Sequence, residues 1–304
     1  MNYNWISILG KYERDSDGFI FIGGEYQGSN GMTLYHVGNF ICDQYFGGGV
    51  IEGEIEFFDK TDRESCEFIL YYDPSTKGFI SAGLGGNGSF CSIRSYTGDK
   101  FVIHSAIGLH EDIKPRESYK IKIEVIGSRA NIKVNGIEII RTNLPTPIPL
   151  GQAGIWCLGK GNIKIRNYKV NNEKGKVFVV MQFTDKYNEL YKDVIIPVCS
   201  TKGLQVIRAD EVTGPGIILS DIAREINDSR IVIAEITPAN PNVYYEVGYS
   251  HAMNKPTILI AEKTTQLPFD VSPFRVIFYD NTIGGKARIV EELNKHIESI
   301  IKQY

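Results

Sequence analysis

The feature that most constrains this chain is a change of rhythm near residue 170. Before it, apolar side chains recur at every second position and glycine supplies the punctuation. After it, apolar runs alternate with stretches of helical period. One layer architecture does not accommodate both patterns, so the 304 residues are expected to form two domains.

The first part reads as all-β. Ile51, Gly53, Ile55 and Phe57 alternate with Glu52, Glu54 and Glu56, and Ile121, Ile123 and Val125 alternate with Lys122 and Glu124. Each stretch offers one wet face and one dry face. Ile132 to Val134 and Ile137 to Ile140 flank Asn135-Gly136, the dipeptide best suited to the positive φ angles of a two-residue hairpin turn. Many short antiparallel strands with regular turns predict a jelly-roll sandwich over residues 1–170.

Several segments here carry a resemblance. Tyr71-Tyr72-Asp73-Pro74, Gly78 to Gly86, the Asn-Gly hairpin, Gly154-Ile155-Trp156 and Ile163 to Tyr168 together resemble the concanavalin A-like lectin/glucanase sandwich, in its laminin-G-like branch. The resemblance implies a sensor or binding domain, with carbohydrate as one class of ligand. Its motifs are structural and transfer function poorly.

Asn171-Asn172-Glu173-Lys174-Gly175 is polar, ends in glycine and reads as a linker. Lys176 to Phe183 (KVFVVMQF) is then a β-branched apolar run, as expected of a parallel strand buried on both faces. Further strands are predicted at Leu204 to Ala209, Arg230 to Ile236, Thr257 to Ala261 and Arg275 to Tyr279. Helices are predicted at Tyr187 to Cys199, Ile218 to Asn227, Asn242 to Met253 and from Ala287 onward. This alternation predicts a flavodoxin-like or Rossmann-like α/β domain over 176–304, with five parallel strands.

Ligands of such sheets bind beyond the carboxyl ends of the strands, where strand order reverses. In flavodoxin-like order that crevice is bordered by Gln182, Phe183, Thr184 and Asp185 after the first strand, and by Glu235, Ile236 and Thr237 after the third. The loop from Thr237 to Asn242 then delivers a helix that places Glu246 at the crevice. On it, Tyr244, Gly248 and Ala252 are expected to pack on the sheet, leaving Asn242, Tyr245 or Glu246, Tyr249 and Met253 on another face. A carboxylate so placed would have a raised pKa and serve as nucleophile, base or stabiliser of a cation. The alternative is a Glu246 that pairs with a nearby Lys or Arg and solubilises the helix.

Arg230 to Thr237, Asn240 to Ala252 and Lys255 to Ile260 resemble a family that bridges nucleoside 2-deoxyribosyltransferases and prokaryotic TIR-type domains. The resemblance covers about 125 residues, and its core is Glu246-Val247-Gly248 followed by Ala252. It implies that Glu246 acts at the anomeric carbon of an N-glycosidic bond, with NAD as substrate and no separate cofactor. Gln182, Phe183, Tyr187, Asp210, Asn242 and Tyr245 would bind the base and the ribose. The deoxyribosyltransferase pattern has an Asp after the third strand and a Gly-Thr pair before the glutamate. Glu235 and Pro241-Asn242 stand there instead, which leaves NAD cleavage ahead of nucleoside transfer. By analogy with TIR-type effectors, the setting would be bacterial antiviral defence with self-association, and the sandwich would regulate the effector. A non-catalytic nucleotide- or carbohydrate-binding module is the reading from another class.

Composition sets bounds on partners. Net charge is −3, and from Lys176 onward 14 Lys and Arg face 16 Asp and Glu, so no basic excess favours nucleic acid. No apolar run is long enough for a bilayer, and the amino-terminal residues lack a secretory pattern, which predicts a cytoplasmic protein. Five scattered cysteines without a Cys-x-x-Cys pair are expected to be reduced and buried, and no histidine pair has the spacing of metal ligands. Glu52, Glu54 and Glu56 mimic glucanase carboxylates, but period-two alternation alone produces the pattern. Gly83, Gly85 and Gly88 satisfy G-x-G-x-x-G ahead of a strand, whereas a phosphate site needs a helix. Gly284-Gly285-Lys286 is expected to start the last helix, and His251 to be a packing residue.

Overall fold

A computed structural model describes residues 3–29, 31–59, 63–211, 218–237, 239–269, 271, 273–280 and 282–303. The chain divides into two compact units, the first made of Met1–Val125, Arg129–Leu144 and Ile148–Glu173, the second of Lys174–Tyr304 with the short segments Ile126–Ser128 and Pro145–Pro147.

The first unit is a sandwich of an eight-stranded and a seven-stranded sheet. In strand Gly49–Phe57, buried and half-buried residues alternate without a break, the pattern of a sheet with one face turned to the core. Ile51, Ile55, Ile121, Ile123, Ile163 and Ile165 from one sheet meet Phe40, Phe68, Leu70, Ile93 and Ile155 from the other in one apolar cluster. Strands Arg129–Val134 and Ile137–Asn143 pair as the predicted hairpin. Asn135 and Gly136 take φ of 51° and 83°, the left-handed pair that such a turn requires. Strand Ile163–Asn172 runs two residues into the expected linker, because Asn171 and Asn172 pair with Val50 and Gly49 on the neighbouring strand.

In the second unit, β1 (Lys176–Val180) leads through α1 (Asp185–Leu190), a π-helical turn at Tyr191–Ile195 and α2 (Ile196–Thr201) to β2 (Gln205–Arg208). Pro197 follows the π turn and has no N–H to offer the preceding carbonyls, which accounts for the broken α-helical register there. Then come α3 (Ile218–Asp228), β3 (Ile231–Glu235), α4 (Pro241–Ala252), β4 (Thr257–Glu262), β5 (Val276–Tyr279) and α5 (Ile283–Gln303). The helix expected from Ala287 thus begins four residues earlier, at the Gly284-Gly285 pair.

The five strands are parallel and lie in the order β2-β1-β3-β4-β5. Alternate residues of each strand serve opposite faces. Val177, Val179, Ile231 and Ile233 pack under α1, α2 and α5, while Phe178, Val180, Val232 and Ala234 pack under α3 and α4. No helix among the described residues is long and apolar enough to cross a membrane. All five cysteines are buried and unpaired.

Candidate active site

Strand order reverses at β1, whose neighbours are β2 on one side and β3 on the other, and this leaves a crevice at the carboxyl ends. A cleft of about 1120 Å³ opens there. Gln182 and Phe183 reach it from the end of β1, Asp210 from the turn after β2, and Asn242, Tyr245 and Glu246 from α4. Its size suits a dinucleotide or a smaller ligand. Phe183 and Tyr245 remain 53% and 60% exposed, large rings left open beside a cavity rather than spent on the core.

Helix α4 owes its start to local chemistry. Asn240 caps it, its Oδ1 accepting from the N–H of Asn242 at 2.9 Å, and Pro241 fills the first turn, where no N–H is needed. Val243, Val247 and Ser250 are buried against the sheet. Of the stripe expected to pack, Tyr244 is half-buried against the core, whereas Gly248 and Ala252 face out, and nothing lies within 4 Å of where a Gly248 side chain would begin. The large residues win the buried face because burying a valine removes more apolar surface than burying glycine or alanine. Glu246 falls at the border of that face and lines the cleft.

Burial alone raises the Glu246 carboxyl to about 7. Among the described residues no lysine or arginine forms an ion pair with it, so the alternative of a salt-bridged, solubilising glutamate does not hold. The carboxyl can therefore be neutral or charged near neutral pH, with no cation competing for it.

Asp210 is held rigidly. Arg208, at the end of β2, donates through Nε and Nη2 to its two oxygens, and through Nη1 to Asn188 Oδ1 at 2.7 Å. The same guanidinium lies 5.4 Å from the Phe183 ring centre and 4.5 Å from that of Tyr191. Arg208 was missing from the residues expected from sequence. Its signal is the Arg208-Ala209-Asp210 spacing just past an apolar strand, which permits a bidentate fork across a tight turn.

Tyr187 is not part of the cleft. It is 4% exposed and belongs to the apolar cluster on the opposite sheet face, because α1 lies over that face. Glu235 is on the same side, as strand alternation from Ile231 and Ile233 requires. Its Oε2 accepts from the Thr237 N–H and its Oε1 from the Tyr279 hydroxyl. Burial raises this carboxyl to about 7 as well. His251 stacks on Phe274, ring centres 4.2 Å apart, in a packing role. Pro238, in the loop before α4, lies outside the described residues.

The other motifs resolve into structure. Glu54 and Glu56 face Arg166, whose Nη2 approaches them at 3.8 and 3.2 Å. Gly85 adopts φ of 80° at a turn, and the chain continues into strand Cys91–Tyr96. Among the described residues no group of three or more His, Cys, Asp or Glu is placed to hold a metal ion.

Comparison with protein families finds no matching model, and comparison with curated proteins finds no match. Solved structures do align over just over half of the chain. A carbohydrate-binding module, CBM66 from Bacillus subtilis, is 14% identical at a TM-score of 0.46, covering 55% of this chain and 95% of that one. A galectin-like protein of unknown function from Bacillus subtilis is 12% identical at 0.40, covering 55% and 87%. A Bacillus licheniformis β-glucanase is 13% identical at 0.37, covering 55% and 92%.

Proposed function

We propose that the α/β unit is flavodoxin-like, of the TIR and deoxyribosyltransferase kind, and cleaves the N-glycosidic bond of NAD or a related nucleotide through Glu246. The observation that carries this reading is a desolvated carboxyl, unpaired with any cation among the described residues, lining a dinucleotide-sized cleft at the strand-order reversal.

The chemistry needs few groups. As the bond from ribose to nicotinamide breaks, its electron pair passes to the pyridinium ring and cancels the ring's charge. The anomeric carbon becomes cationic, and the ionised Glu246 stabilises it across a low-dielectric gap. Water then adds at that carbon and loses a proton, giving ADP-ribose, nicotinamide and H⁺. Phe183 and Tyr245 would stack on rings of the substrate. Asp210, fixed by Arg208, would accept from ribose hydroxyls, with Asn242 and Gln182 as further polar contacts. The sandwich would act as the regulating part, and defence against phage is one setting for such an effector.

The test is to incubate the full chain with NAD and, separately, with a deoxynucleoside plus a free base, following products by chromatography. Nicotinamide release supports the reading. Base exchange without nicotinamide release assigns nucleoside transfer instead.

A further inference from the structure

The outward face of the eight-stranded sheet holds a second cavity, of about 470 Å³, remote in chemistry from the cleft just described. Its wall is aromatic: Tyr72, Phe79, Tyr96, Phe101 and Trp156 all line it. The rings touch one another in sequence, with Phe79 5.3 Å from Tyr96, Tyr96 5.0 Å from Phe101, and Phe101 5.6 Å from Trp156 between centres. These strands could have carried polar residues outward, as one-sided sheets ordinarily do.

A buried ion pair underlies part of this wall. Glu67 is fully buried, and its two oxygens accept from Arg94 Nε at 3.0 and 2.9 Å. The hydroxyls of Ser81 and Ser92 donate to the same carboxylate at 2.7 and 2.9 Å. The guanidinium then stacks 3.9 Å from the Phe101 ring centre and 4.6 Å from that of Trp156. Both rings are thereby fixed before any ligand arrives, which lowers the ordering cost of binding.

One polar group on the wall is unsatisfied. Asn39 lies between Leu9 and Trp156 on its two neighbouring strands, lines the cavity and is 9% exposed. Its Oδ1 is buried and has no hydrogen-bond partner among the described residues. A buried amide oxygen without a partner is unfavourable, and a turn of the amide that presents it to a donating ligand in the groove removes the penalty.

We propose that this groove binds a planar nitrogen heterocycle, stacked on the aromatic wall with a ring or exocyclic N–H donating to Asn39 Oδ1. Base-like rings stack on aromatic side chains with little dependence on their substituents. A saccharide fits the wall less well, since it would bring several hydroxyls to a mainly apolar lining, whose polar groups beside Asn39 and the exposed Lys77 are the Tyr72 and Tyr96 hydroxyls and the Trp156 indole N–H, the Tyr96 hydroxyl already donating to Gly98 O. The heterocycle can belong to a nucleoside or to an indole, adenosine offering its exocyclic amine and an indole its ring N–H as the donor.

Calorimetric titration of the full chain with adenosine, tryptamine and laminaritetraose, in separate arms, tests this. Saturable binding of adenosine or tryptamine is expected, and the arm that saturates identifies the source of the ring. Asn39→Leu, which keeps bulk and removes the acceptor, should weaken that binding at least about tenfold. Phe101→Ala, on a strand at the sheet edge, should weaken it comparably, and it serves as the second variant should Asn39→Leu lower the unfolding temperature. Ile137→Ala, on the exposed hairpin of the seven-stranded sheet, should leave it unchanged, and Phe183→Ala reports any separate binding in the α/β cleft. Binding of the tetrasaccharide alone, no saturation by either heterocycle up to about 5 mM, or loss of binding on Phe183→Ala with Asn39→Leu unaffected would each overturn the proposal.

Discussion

The guanidinium of Arg208 grips the carboxylate of Asp210 through Nε and Nη2, at 2.6 and 2.7 Å, across a single intervening residue. That fork ties the carboxyl end of β2 to the rim of the cleft. It also places one cation against the two rings of Phe183 and Tyr191. Asp210 is thus presented to the cleft in one orientation, with its oxygens already engaged in charge-assisted bonds.

Lysine does not reproduce a planar fork. Arg208→Lys should therefore weaken nucleotide binding while leaving the fold intact. Arg208→Met, which also strands Asp210 and Asn188, should lower the unfolding free energy by about 2 kcal/mol. Urea denaturation monitored by circular dichroism measures the second effect and calorimetric titration the first.

Two carboxyls set the pH response. Glu246 and Glu235 hold their protons up to about 7 in the folded chain, raised in both cases chiefly by burial, whereas the unfolded chain releases them in the usual carboxylate range. Between those values the folded state binds more protons, so stability is lost as pH rises toward 7. Glu246→Gln removes one of the two contributions and should flatten the decline by about 1 kcal/mol, allowing for the solvent access of the cleft. Above pH 7 the trend reverses, because burial pushes the Lys255 amine down to about 7 and the folded state then binds fewer protons than the unfolded one. Unfolding curves at pH 5, 7 and 9 check both slopes.

Tyr245 and Tyr187 separate cleft from core. Tyr245→Ala removes an exposed ring at the cleft and should weaken nucleotide binding about tenfold with little change in stability. Tyr187→Phe alters a residue on the other sheet face and should leave binding unchanged. Titrations of the two variants side by side decide it.

The entry to α4 depends on one side chain. Asn240→Ala removes the acceptor of the Asn242 N–H and should cost about 1 kcal/mol, while Asn240→Asp should be close to neutral. Thermal unfolding of both variants provides the comparison.

Much of this was legible in the chain. Period two in Ile51 to Phe57 and the Asn135-Gly136 turn announced the sandwich, and KVFVVMQF announced a strand buried on both faces, because both patterns are consequences of local geometry. Six of the seven residues expected at the site line one cleft, since strand order and α4 decide their placement together. Tyr187 failed because position after β1 does not say which sheet face a helix will cover. The packing face of α4 was misjudged because small residues looked suited to close approach, while Val243 and Val247 had more apolar surface to bury. The aromatic groove was invisible for a different reason. It depends on residues brought together from separate strands, as with Asn39 and Trp156.

The most direct measurement is nicotinamide release from NAD by the wild-type chain and by Glu246→Gln at equal concentration near pH 7. Glu246 as the acting carboxylate predicts turnover by the wild type and a loss of at least about 100-fold in the variant, with nucleotide affinity retained. Equal rates in the two proteins would contradict it.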